Sequence, residues 1–273
     1  MPVHIGAMVV ADFPGVTRAN ELTAASAVTT SNATQAEIPA AYYRSGSLQF
    51  TQSELDMARN GSRGDIVTAK VDELLNMMMV RMATDLYDGG DAGQSSIISI
   101  PFVLATSNTV HGIDQSTYAK WQGNIDTTGG AFDIEKFTKH LNVLRDEKDA
   151  NPDFAVFSAN SGGADIYTRV TRLLSQDVQV MTSASQTGPL QTGYDRFIYR
   201  GVEFVRDHHA PAGELYILDS SSWVFAADSE KPRFIKNLSP IDSTAGYETM
   251  LDYRCALGCN SPRRNYRWTG ITS

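Results

Sequence analysis

The sequence predicts a mixed α+β protein. Three observations carry that expectation: a long amphipathic helical stripe over residues 65–88; short segments alternating with a period of two, concentrated in the second half of the chain; and an amino-terminal stretch, residues 17–52, too poor in large apolar side chains to form its own core. At 273 residues the chain exceeds the usual single domain of about 100–150 residues, so two interlocked domains or one large one are expected.

The elements follow in order. Residues 17–52 are rich in Ala, Thr, Ser and Asn, the composition of an arm or extended loop that orders only against a neighbour. Tyr42, Tyr43, Leu48 and Phe50 supply its only concentrated apolar surface, and the alternation over 47–52 predicts a strand. From 65 to 88 the pattern turns helical, with Asp65 as N-cap, Val67, Val71, Leu74, Leu75, Met78, Met82 and Leu86 on one stripe, and Gly89 and Gly90 as the stop. At about 1.5 Å per residue such a helix runs about 35 Å. Met77, Met78 and Met79 with Met82 suggest a soft-metal face, but methionine fills irregular core gaps far more often, and a core role is expected.

An apolar segment at 97–104 comes next, then a stretch in which Ile113, Tyr118 and Trp121 carry large apolar area while Gly112 and Gly123 allow tight reversals. Ile134, Phe137, Leu141 and Leu144 take helical spacing behind an Asp133 cap, with Glu135 and Lys139 as an i,i+4 pair. Residues 154–157 form a short buried-type strand, broken at 158–163 and followed by an amphipathic run over 164–174. The glycine pair at 162–163 lacks a Walker lysine and a dinucleotide-type spacing, so a plain turn with an N-cap is expected. Strands are predicted over 197–207 and 213–219, joined by a turn at 210–213, and an alternating terminal strand over 246–271 is cut once, by Pro262.

Composition narrows the function classes. A formal net charge of -8, with 42% hydrophobic and 20% charged residues, argues against tight gripping of phosphate backbones, which relies on Lys and Arg releasing counterions. A negative total is compatible with a container wall around nucleic acid and with an ordinary enzyme alike. No run of about 18 apolar residues is present, so no membrane span is expected, and the amino end lacks a basic signal-type region; synthesis in a reducing cytosol is expected. Cys255 and Cys259, four apart on the terminal strand, share a face but sit too far apart for easy bridging, so buried free thiols are expected.

Catalytic chemistry has one pointed candidate. Asp207, His208 and His209 spell the tripeptide of a family of metal-dependent phosphoesterases, and with Glu214 they form the rival reading of a metal-dependent hydrolase. That chemistry needs a second acidic cluster of the Asp-x-Asp type, because paired divalent ions require several bridging ligands. None occurs in roughly the first hundred residues, and two adjacent histidines on a turn rarely close a tetrahedral shell. Ser220, Ser221 and Ser222 lack a nucleophile elbow, and His4, His111, His140, His208 and His209 show no triad spacing. No catalytic residue, cofactor or metal is expected. Arg263, Arg264 and Arg267 form a basic run, better suited to a subunit contact than to nucleic acid in so acidic a chain.

Three stretches, in the same order along the chain, resemble the major capsid proteins of tailed bacteriophages. At the carboxyl end, Tyr253, Arg254, Ala256, Pro262, Gly270 and Ile271 fill the places of that family's closing strand. Gly112, Ile113, Asp114, Ser116, Tyr118, Trp121 and Asn124 match a stretch that follows its long helix, departing at His111, where the family has Gly, and at Gln115, where it has Arg. Gly201, Val202 and Glu203, then Pro211 and Gly213, resemble a third, with Glu203 standing where Pro is common. The long helix followed by glycine-rich punctuation also agrees.

The resemblance implies the Hong Kong 97 fold: an amino-terminal arm and extended loop (1–55), a discontinuous peripheral domain with a long spine helix (56–125 and 246–273), and an axial domain (126–245). It implies a protein that is not an enzyme but a coat protein of the virion capsid, made in the host bacterial cytoplasm, assembling with itself as homo-pentamers and homo-hexamers into an icosahedral shell. That shell would hold double-stranded DNA without sequence specificity and work alongside portal, scaffolding and decoration or cement proteins, with no membrane partner. An encapsulin-type nanocompartment shell is the alternative within the fold. Expected contacts between subunits are Tyr42, Tyr43, Leu48, Phe50, Arg263 and Arg264. Some members weld subunits through a lysine on the extended loop; here no lysine precedes Lys70, so a noncovalent shell is expected.

Overall fold

The computed structural model describes residues 8–10, 33–35, 38, 41–45, 48–59, 66–88, 90, 96–158, 197–228, 233–240 and 246–272. The expected cap at Asp65, the stop at Gly89 and the run over 164–174 lie outside them. The amino-terminal part contributes β1 (Met8–Val10) and β2 (Ala33–Gln35), paired antiparallel, then β3 (Ala41–Arg44) and β4 (Leu48–Thr51). β4 alternates as the sequence predicts, with Phe50 buried and Gln49 and Thr51 exposed, and β3, which lies outside the predicted strand, alternates likewise, with Ala41 and Tyr43 buried and Tyr42 and Arg44 exposed.

Helix α1 (Gln52–Arg59) starts on a reciprocal capping box. The Thr51 N–H donates to Glu54 Oε2 at 2.9 Å, and the Glu54 N–H to Thr51 Oγ1 at 3.3 Å. Helix α2 (Ile66–Asp88) has the predicted phase: Leu74 and Met78 are buried, and Leu75, Met82 and Leu86 pack against the same core. Lys70 Nζ, 2.8 Å from Glu54 Oε1, ties the two helices together. The methionine run departs from expectation. Met77 and Met79 are 56% and 65% exposed while Met78 is buried, because successive residues on a helix are turned by about 100° and three in a row cannot share one face.

The apolar segment after α2 becomes the short helix α3 (Ile100–Val103), followed by the hairpin β5 (Thr109–Val110) and β6 (Ile113–Asp114). His111 and Gly112 turn it with φ of 55° and 80°, a left-handed pair in which glycine carries no steric penalty. Gly123 serves a close approach instead of a reversal: a Cβ there would lie 2.6 Å from the Leu104 Cα. Next come β7 (Asn124–Asp126), β8 (Gly130–Ala131) and α4 (Ile134–Asn142), which continues as a π-helical stretch, Val143–Glu147. Asp133 caps α4, accepting from the Glu135 N–H at 3.0 Å.

In the second half, β9 (Phe154–Ser158) lies where the sequence predicts. The single strand expected over 197–207 is instead a hairpin of β10 (Phe197–Tyr199) and β11 (Val202–Asp207). Arg200 and Gly201 form its turn at φ 49° and 81°, and Arg145 Nη2 donates to the Arg200 carbonyl at 2.7 Å. β12 (Leu215–Leu218), β13 (Trp223–Ala227), β14 (Arg233–Pro240), β15 (Gly246–Cys259), β16 (Tyr266–Trp268) and β17 (Ile271–Thr272) complete the chain.

Two larger sheets organise most of these strands, beside the two-stranded pairs β1–β2, β5–β6 and β8–β17. The 14-residue β15 is the axis of one, flanked by β3, β4, β13 and β14, all antiparallel to it. The other is six-stranded, in the order β10-β11-β9-β12-β16-β7, with β11 parallel to β9 and β16 parallel to β7. The break at Pro262 is the point where the terminal segment leaves the first sheet for the second. One hydrophobic core packs α2, α3 and the first sheet around Leu74, Met78, Ile98, Leu104, Trp121 and Cys255. The other packs α4 against the second sheet around Phe137, Leu141, Phe157, Phe204 and Trp268.

Candidate assembly surface

The six side chains expected at subunit contacts divide sharply. Tyr43 is 6% exposed: its hydroxyl donates to Asp85 Oδ2 at 2.9 Å and accepts from the Ile97 N–H at 3.2 Å. Burial and the neighbouring Asp85 carboxylate hold the phenol well above its ordinary pKa, so it stays a donor. Phe50 is 1% exposed, with Lys70 Nζ 5.4 Å from its ring centroid. Tyr43 and Phe50 thus turn inward, because both sit on the core-facing positions of their strands. Tyr42, one residue on, faces out at 41% exposure beneath the Arg254 guanidinium, 4.6 Å from its ring centroid. Leu48 is half-buried against the first core.

At the carboxyl end, Arg264 Nε lies 3.0 Å from Oδ2 of the buried Asp219, and Arg263 is half-exposed with its carbonyl accepting from Asn124 Nδ2 at 2.6 Å. Arg267 is occupied within the chain, its Nε and Nη2 both on Glu214 at 2.9 and 2.8 Å. The basic run is therefore not a free cationic stripe. Two of its three guanidiniums neutralise carboxylates of their own subunit.

The catalytic candidates resolve into structural parts. Asp207 Oδ2 accepts from the Tyr87 hydroxyl and Asp207 Oδ1 from the His209 N–H, each at 2.9 Å, so the carboxylate closes the turn after β11. His208 and His209 lie with ring centroids 3.9 Å apart. Among the described residues, no group of three or more His, Cys, Asp and Glu is gathered to hold a metal ion. Ser221 Oγ donates to Asp219 Oδ1 at 2.6 Å and Ser222 Oγ to the Asp219 carbonyl at 2.7 Å, a single capped turn. Cys255 and Cys259 are buried and free, with burial pushing their thiols up to about 11 and about 12. No helix among the described residues is long and apolar enough to cross a membrane.

The two departures from the capsid-like stretch are buried joints. Gln115 is fully buried, its Nε2 donating to the Val103 and Trp121 carbonyls at 2.8 and 3.1 Å and its Oε1 accepting from the Asn108 N–H at 3.2 Å. His111 Nε2 accepts from the Cys259 N–H at 3.0 Å, linking the β5–β6 hairpin to β15. Burial depresses the His111 pKa to about 4.

Large apolar side chains remain on the outside: Tyr42, Met77, Met79, Val80, Phe154, Ile198 and Phe225 are each 37–65% exposed. Sequence reasoning names Tyr42 among these and misses the rest; Met77, Met79 and Phe154 stand within runs that otherwise read as core. On the other face of the first sheet, Ile38 is 3% exposed and packs on Ala256. A Cβ on Gly258 would lie 2.1 Å from Ile38 Cδ1, so the missing side chain leaves the notch that receives Ile38.

No protein-family model and no curated protein matches the sequence. Solved structures do. The chain is similar over 100% of its length to 89% of a chain of the cyanophage A-1(L) capsid asymmetric unit, at TM-score 0.73 and 15% identity. It is similar to the capsid of a native GTA particle (TM-score 0.68, 14% identity, 97% and 84% of the two chains). The holo-SrpI encapsulin complex from Synechococcus elongatus also matches (TM-score 0.61, 14% identity, 100% and 84%). On this likeness the chain has the Hong Kong 97 fold that these capsid structures share.

Proposed function

We propose that this chain is the major coat protein of a tailed phage, assembling through pentamers and hexamers into an icosahedral shell around double-stranded DNA. The single observation that supports this most is the end-to-end likeness to the cyanophage capsid subunit, 100% of one chain on 89% of the other. The net charge of -8 suits a wall that confines DNA without gripping it. Exposed apolar side chains on both sheets and on α2 are the surface expected of a subunit meant to be covered by copies of itself.

In this reading residues 1–55 form the arm and extended loop, 56–125 with 246–273 the peripheral domain, and 126–245 the axial domain. Tyr42, Leu48 and Arg263 reach neighbouring subunits, while Tyr43, Phe50 and Arg264 hold those surfaces in place from within. The shell would work with portal, scaffolding and cement proteins and is made in the host cytoplasm. Sedimentation tests the assembly: particles in the megadalton range are expected, and a stable species at the 29.8 kDa chain mass across concentrations and salts would overturn it.

The encapsulin likeness, at TM-score 0.61, favours a second reading in which the shell encloses protein cargo. The contents of particles purified from the producing cell decide between them. Nuclease-protected double-stranded DNA supports the phage coat; a co-purifying enzyme without DNA supports the nanocompartment.

A further inference from the structure

We propose that the outward face of α2 is an isologous contact, where two copies of this chain pack their α2 helices antiparallel about a two-fold axis passing near Met77. This rests on the shell reading, since the second copy is a neighbouring subunit.

With successive residues turned by about 100°, Met77 and Val80 stand about 60° apart on one flank of α2, their middle turned about 110° from that of the buried Leu74–Met78 pair. They are 56% and 54% exposed. Glu73 lies one turn before Met77 and Arg81 one turn after it, both exposed. The charge order selects the geometry. A dyad through Met77 sets Glu73 of each copy against Arg81 of the other, giving two opposite-charge pairs around an apolar centre. A parallel arrangement would set Glu73 against Glu73 and Arg81 against Arg81.

Arg81 Nε lies 3.2 Å from Asp85 Oδ1, yet its side chain is 69% exposed, and a guanidinium has five N–H donors, enough for a second carboxylate. The patch is self-complementary, as a two-fold contact requires. Methionine at the centre suits the task as well: its unbranched, flexible side chain tolerates the different angles at which pentamers and hexamers meet.

Disulfide trapping tests this. Helices packed about 8–10 Å apart, with Cα atoms about 2.3 Å from each axis, bring facing Cα atoms into the range of about 4.4–6.8 Å that a disulfide spans. Shells of Met77→Cys, assembled in reductant and then oxidised, should give a disulfide-linked dimer as the main band on a non-reducing gel. The buried Cys255 and Cys259 serve as the internal blank. Asp72→Cys, exposed on the same helix but turned roughly 140° away, should stay monomeric.

Glu73→Lys, which sets like charges together, should melt as the wild type does yet give at least tenfold fewer closed shells. Intact shells in which Met77→Cys stays monomeric, or full assembly of Glu73→Lys, would overturn the contact and leave the shell reading standing. Absence of any particle from the wild type would instead remove the shell reading itself.

Discussion

Tyr42 and Tyr43 are adjacent, chemically identical and oppositely placed, so replacing each in turn separates folding from assembly. Tyr43→Phe keeps the ring in the core but deletes a hydroxyl that donates to the buried Asp85 at 2.9 Å and accepts from the buried Ile97 N–H at 3.2 Å. A hydrogen bond to a charged group is worth about 1.5–3 kcal/mol, and an orphaned buried N–H costs about 1–3 kcal/mol. Because one hydroxyl serves both partners the two do not simply add, and a loss of about 3 kcal/mol is expected. With a urea m-value of roughly 3 kcal/mol/M for a chain of this size, the unfolding midpoint of unassembled protein should fall by about 1 M. Tyr42→Ala removes a half-exposed ring whose partner is the Arg254 guanidinium at 4.6 Å, worth about 0.5–1 kcal/mol. It should unfold nearly as the wild type but assemble poorly. A midpoint shift under about 0.2 M for Tyr43→Phe, with assembly lost instead, would refute the inward placement of Tyr43.

Three further outcomes are expected. His111 has its pKa lowered from 6.5 to about 4 by burial, so the unfolded chain takes up its proton first; stability should decline as pH falls from about 6.5 towards about 4, and His111→Asn, which tolerates the positive φ, should flatten that slope in denaturant titrations. Gly258→Ala should displace Ile38 and speed proteolysis of the amino-terminal arm, while Gly258→Ala combined with Ile38→Ala should restore protection; equal digestion of all three proteins would dismiss the notch. Boiled, reduced particles should run as a single band near 29.8 kDa, since Lys70 is the first lysine and its Nζ is paired with Glu54; a ladder of covalent oligomers would contradict a noncovalent shell.

The phase of α2 is legible in the sequence because a helix repeats its contacts every turn, and Leu74, Leu75, Met78 and Met82 all pack where periodicity puts them. The same rule, applied to Met77 and Met79, should have turned them outward; residue type outweighed geometry in reading them as core. The β10–β11 hairpin is illegible for a different reason. Its turn opens with Arg200 at φ 49°, a residue that carries no turn signal, and only Gly201 hints at it. β15 reads as a strand from its own alternation, but two of its four partner strands, β3 and β4, come from the far amino-terminal part of the chain, and pairing over such a separation leaves no local trace. Of the expected contact residues, types are readable and sides are not: Tyr42 and Tyr43 differ only in strand parity, which one residue of register decides.

Cryo-electron microscopy of the purified, untagged protein bears most directly on the claim that this chain builds a shell. Closed isometric particles are expected, with α2 and the β15 sheet of each subunit lying in the shell wall. A field of monodisperse monomers or small open oligomers, under conditions where the chain is folded, would contradict it.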